Sequence, residues 1–138
     1  SFKSLEAILL DMQIGKRHFV LISAYKPPNV DNNTLNTDLC KVLDQAFNLS
    51  KNVICMGDLN CDIMHPLHSN KQGKCLFDTC DIYDLDSMIN KPTRISKSIS
   101  TCFDVILTNV PAFINSSEVL ETGLSDHCLV YAIVNTKL

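Results

Sequence analysis

The sequence has no basic excess: 12 Lys and Arg against 15 Asp and Glu leave 138 residues with a formal charge of −3. That excludes a protein that coats nucleic acid through a global positive field, but not an enzyme that meets DNA at one local site. No apolar run approaches the roughly 20 residues of a bilayer-crossing helix, so no membrane partner is expected. No initiator Met and no signal-peptide pattern opens the chain, which therefore reads as cut from something longer. There is no internal repeat, low-complexity tract or linker. Among seven cysteines no Cys-x-x-Cys occurs, and most lie in apolar runs such as Val53-Ile54-Cys55-Met56. They read as small buried hydrophobes in a reducing compartment, nuclear or cytoplasmic. Cys61, His65, His68 and Cys75 could be imagined around zinc, but their spacing matches no closed structural site.

What is present is the composition of one folded domain, 46% hydrophobic and 20% charged. Apolar residues from Ser4 to Met12 and from Phe19 to Tyr25 flank a Gly15 turn and predict an antiparallel hairpin, stopped by Pro27-Pro28. After Asn32-Asn33-Thr34, the spacing of Leu35, Leu39, Val42, Leu43, Ala46 and Phe47 predicts a helix to about Leu49. Asn52 to Gly57 suits a strand buried on both faces. A surface loop is expected over Met64 to Lys74 and a short helix over Lys74 to Tyr83. Asp84 to Arg94 looks irregular. Cys102 to Thr108 and Val119 to Thr122 read as strands, and Cys128 to Val134 as a final buried one. Strands with two interspersed helices indicate α+β or layered α/β.

Three acidic positions interrupt this pattern. Asp58 follows an apolar strand, Asp104 lies within one, and Asp126-His127 precedes the last. Carboxylates there are costly to desolvate unless paired, hydrogen-bonded or bound to a cation. Each alone reads as a turn former. Together with one histidine they have the composition of a hard-cation site for phosphate chemistry.

Ala24-Tyr25-Lys26-Pro27-Pro28, Gly57-Asp58-Leu59-Asn60, Cys102-Phe103-Asp104-Val105-Ile106-Leu107 and Leu124-Ser125-Asp126-His127-Cys128 form four ordered motifs. They resemble the endonuclease/exonuclease/phosphatase superfamily. The Tyr-x-Pro-Pro form, Lys91-Pro92-Thr93-Arg94 and Ile106-Leu107-Thr108-Asn109 are most like the endonuclease domains of LINE-type (non-LTR) retrotransposons. The resemblance implies a Mg2+ (or Mn2+) enzyme that nicks DNA, joined to a downstream reverse transcriptase in one polyprotein. It implies that Asp58 activates the water, that Asn60 and Tyr25 bind the scissile phosphate, and that Asp126 holds the metal. His127 would stabilise phosphoryl charge with Asp104 orienting it, while Thr93, Arg94 and Thr101 would contact DNA.

The same resemblance exposes a lack. The family's main metal-binding Glu belongs to a first half that residues 1–138 do not contain, and Glu6 has no flanking motif. The full fold it implies is a four-layer α/β/β/α sandwich, with this chain as its C-terminal half. The sheet would then lack its partner sheet and would pair with the remainder of the domain or with a second copy. Little or no activity is expected of the chain alone. Two other readings stand beside this one: a superfamily phosphatase acting on a small phosphoester, and a non-catalytic relic or binding fragment.

Overall fold

The computed structural model describes residues 5–63, 71–95 and 100–135. The zinc-set histidines His65 and His68 lie outside these residues, as does most of the loop expected before Lys74. The predicted hairpin is β1 (Glu6–Ile14) and β2 (Arg17–Tyr25), turning at Gly15 with a positive φ. Helix α1 (Asn32–Leu49) then crosses to β3 (Val53–Asp58), which pairs parallel to β2. Parallel neighbours need such a crossover, because a tight turn reverses the chain. Helix α2 (Lys71–Tyr83) begins earlier than the expected Lys74.

The segment read as irregular contributes a two-residue strand, β4 (Asp86–Ser87), and the start of a small hairpin, β5 (Arg94–Ile95) with β6 (Ser100–Thr101). Strand β7 (Asp104–Thr108) enters the main sheet between β3 and β4, giving a mixed order β1-β2-β3-β7-β4. A third hairpin follows, β8 (Ile114–Leu120) and β9 (Leu129–Val134). Strand β8 starts before the expected Val119, where polar Asn115, Ser116 and Ser117 hide it from a hydrophobic pattern. Strand β9 corrects the expectation of a buried strand: Leu129 and Ile133 are about half exposed, because only alternate residues face the core.

Register separates the two faces of the main sheet. Val20, Ile22 and Ala24 of β2 are paired with Val53, Cys55 and Gly57 of β3, and α1 packs against β1 and β2 with Leu35, Leu39, Val42, Leu43 and Ala46 buried. On the other face, β9 packs against β7, and Val119, Val130 and Ala132 join the core there. The β1 part of that face stays open, with Ile8 64% and Leu10 49% exposed. Thus the fold is α+β, two helices on one face and a hairpin covering part of the other.

Candidate active site

One row of side chains crosses four strands of that second face. Glu6 is paired with Tyr25, Tyr25 with Asp58, and Asp58 with Asp104. Residues so paired share a face, about 4.8 Å per strand apart. Glu6 therefore lies two strands from Asp58, roughly 10 Å away. It does not join the group that Asp58 forms.

Gly57 makes the row possible. Its φ is +147°, and a Cβ built there would lie 1.7 Å from the Ala24 carbonyl oxygen. Only glycine lets β2 and β3 approach at this point. Beyond it the chain turns tightly. Asp58 accepts the Asn60 N–H at 3.0 Å, and Asn60 sits at φ +49°, where Asn is tolerated. The Asn60 side chain donates one amide proton to the Lys26 carbonyl at 2.6 Å, fixing it beside Tyr25. Tyr25 ends β2 with its side chain partly in solvent.

His127 arrives from the turn before β9. The Ser125 hydroxyl accepts its N–H at 3.0 Å, and the Cys128 N–H reaches the Thr93 carbonyl at 2.6 Å. Its Nδ1 lies 3.1 Å from an Asp104 carboxylate oxygen, and its Nε2 4.0 Å from one of Asp58. A carboxylate oxygen accepts, so Nδ1 carries the proton and Nε2 faces Asp58. Burial raises the Asp58 carboxyl above its ordinary range; its bond from Asn60 pulls it back, the nearby Asp104 raises it further, and His127 and Arg94 lower it.

Among the described residues, Asp58, Asp104 and His127 place one ligand atom each within 4.8 Å of one another. Two carboxylates on neighbouring strands suit a divalent cation, whose charge would relieve their repulsion. Asp126, expected to hold the metal, lies outside this group. Its carboxylate takes the Arg94 Nε at 2.9 Å, and that bond holds its pKa below the usual range. Arg94, expected to contact DNA, turns its cation to Asp126 and lies 5.9 Å over the Phe103 ring.

Thr93 is fully buried and offers no atom to DNA, contrary to expectation. Thr101 stands opposite Arg94 in β6, partly buried, and its carbonyl accepts the Thr93 N–H. Sequence reading passed over Asp62, which accepts the Cys102 N–H at 3.0 Å and ties the entry of β7 to the end of β3. It also passed over Lys26, whose Nζ is buried with no hydrogen-bond partner. The pattern Asp58-x-Asn60-x-Asp62 offered a signal for the first; none marked the second.

Solved structures share this architecture. The endonuclease domain of TRAS1, a telomere-specific non-LTR retrotransposon, superposes with a TM-score of 0.78 at 18% identity, over 95% of this chain and 63% of that one. A 3′ phosphatase from Neisseria, bound to product DNA hairpin, matches with TM-score 0.68 at 12% identity, over 84% and 61%. The Xenopus laevis APE2 catalytic domain gives 0.60 at 17%, over 95% and 54%. At such identities the likeness establishes the fold. The chain spans under two thirds of each of these domains. No curated protein matches the sequence. The sequence model for endonuclease-reverse transcriptase proteins matches residues 19–131. Most of the chain lies within that match, and it belongs to the endonuclease-reverse transcriptase family, with a LINE-type endonuclease-like fold of the endonuclease/exonuclease/phosphatase superfamily.

Proposed function

We propose that residues 5–135 carry the water-activating half of a metal-assisted DNA-nicking site. The observation that carries this reading is the His127 ring, 3.1 Å from Asp104 and 4.0 Å from Asp58, at the row that also holds Tyr25. Asp58 takes a proton from the attacking water, whose oxygen bonds to phosphorus as the phosphorus–O3′ bond breaks. The hydroxyl of Tyr25 and the remaining amide proton of Asn60 hold the phosphate. His127, oriented through Nδ1 by Asp104, would as an imidazolium donate its Nε2–H to the charge developing on the phosphoryl oxygens. A divalent cation, Mg2+ or Mn2+, would be held by Asp58 and Asp104 and would supply further neutralisation of that charge. The Arg94–Asp126 pair and Thr101 flank the site, where the phosphates of a DNA strand would pass.

The family description supports a reverse transcriptase in the same polyprotein, and the seven free cysteines suit a reducing compartment, nuclear or cytoplasmic. The unfilled length of the related domains, with Glu6 roughly 10 Å from Asp58, supports little turnover by the chain alone. A plasmid-nicking assay with Mg2+ or Mn2+ tests both statements. The chain alone should nick negligibly. A version extended by its own upstream sequence should nick, leave an extendable 3′-hydroxyl, and lose at least about 100-fold in rate with Asp58→Ala. Nicking by the short chain that Asp58→Ala abolishes would overturn the first statement. Release of phosphate from a 3′-phosphorylated hairpin without nicking would favour phosphatase action, which the Neisseria structure's description makes the second reading. An extended chain inactive on both would leave the relic reading.

A further inference from the structure

We propose that Thr93 is a positioning residue for the Asp104–His127 pair, acting from inside the protein. The inference rests on the catalytic reading of that pair given above. Thr93 has no exposed surface, and its Oγ1 accepts two backbone N–H groups, from Phe103 and Asp104, each at 3.1 Å. Nearby, the Cys102 thiol lies 3.7 Å from the Asp104 carbonyl oxygen. One buried oxygen therefore fixes the two peptide groups that flank Phe103, the second of which leads directly into Asp104. The Thr93 backbone completes the arrangement: its carbonyl takes the Cys128 N–H at 2.6 Å, directly after His127, and its N–H reaches the Thr101 carbonyl.

The two members of the pair are 23 residues apart in sequence, and Thr93 bonds to a backbone group next to each. Sheet pairing holds Asp104 to Asp58 of β3 and an isolated bridge holds His127 to Arg94, but neither joins Asp104 to His127; the link between them runs through Thr93. Strand β7 starts only at Asp104, and β9 starts after Cys128. Without the hydroxyl, two part-buried N–H groups lose their acceptor, and the peptide leading into Asp104 is held less firmly. A shift of about 1 Å there is enough to misplace a catalytic imidazole.

The test compares Thr93→Val with Thr93→Ser in the full chain. The measured signal is the downfield proton resonance of the His127 Nδ1–H, which reports the bond to Asp104 and requires no turnover. Thr93→Ser should retain it. Thr93→Val, which keeps the shape and removes the hydroxyl, should lose it while the backbone amide spectrum stays dispersed. If the valine variant does not fold, Thr93→Ala provides the same comparison without the added methyl group. Retention of the resonance in a folded valine or alanine variant, or its loss in the serine variant, would overturn the proposal. In the upstream-extended chain, Thr93→Val should lower kcat about 100-fold with KM changed far less. If that chain does not cleave DNA at all, the nicking reading fails, while the resonance still decides the role of Thr93.

Discussion

At the scale of single residues, the balance at Asp58 has a measurable consequence. Burial, the first cause, raises its folded-state pKa, with Asp104 adding to the effect. A carboxyl so raised favours the fold while protonated, below its unfolded value near 4, and that contribution is lost as pH rises through the folded pKa. At neutral pH the ionised Asp58 is therefore a strain on the fold. Asp58→Asn should raise the melting temperature at pH 7, and the difference from the parent should close as pH falls below about 4. Asp126 behaves oppositely. Its depressed pKa, due first to the Arg94 bond, contributes stability above the unfolded value, lost as pH falls through the folded one. Thermal scans from pH 3 to 8 on both proteins check the first expectation.

Asp58, Asp104 and His127 were legible in the sequence because polar groups that break apolar strands demand a reason. The exchange of partners around Asp126 was not, since Arg94 lies 32 residues away. Nor was the role of Thr93, whose acceptor oxygen meets N–H groups ten and eleven residues on.

Among elements, legibility follows the locality of the forces that make them. Helix α1 announces itself by a stripe of Leu35, Leu39, Val42, Leu43 and Ala46, all buried. Strands β3 and β7 do so by runs of β-branched and aliphatic residues. Strand β8 could not be read in full, because its polar first half is extended only by pairing with β9. The two-residue strands β4, β5 and β6 carry too few side chains for any period to register. The contact between β2 and β3 hangs on Gly57. Gly57→Ala should cost more than about 3 kcal/mol in urea unfolding, because its Cβ meets backbone that cannot swing away. Leu43→Ala, which only empties core volume, should cost about 2–5 kcal/mol and leave the strand register intact.

For the whole molecule, the uneven covering of the sheet governs behaviour in solution. Besides Ile8 and Leu10, the outer side of the last hairpin exposes Leu120, Leu129 and Ile133. Apolar area of this extent on a small protein promotes association. Leu129→Thr with Ile133→Thr should lower dye binding to apolar surface and reduce self-association in sedimentation. Melting temperature should change little, because both side chains already lie half in solvent and threonine keeps the strand's β-branched preference.

The sheet order β1-β2-β3-β7-β4 sets a timetable as well as a shape. During synthesis Asp58 emerges first, Asp104 follows as its direct neighbour, and His127 comes late, carried by a segment that pairs with neither of their strands. For that interval the nascent chain holds two facing carboxylates with no imidazole between them. A chain stalled before residue 127 would thus present the two carboxylates without their imidazole partner, and synthesis of the segment leading into β9 is the step that brings it to them.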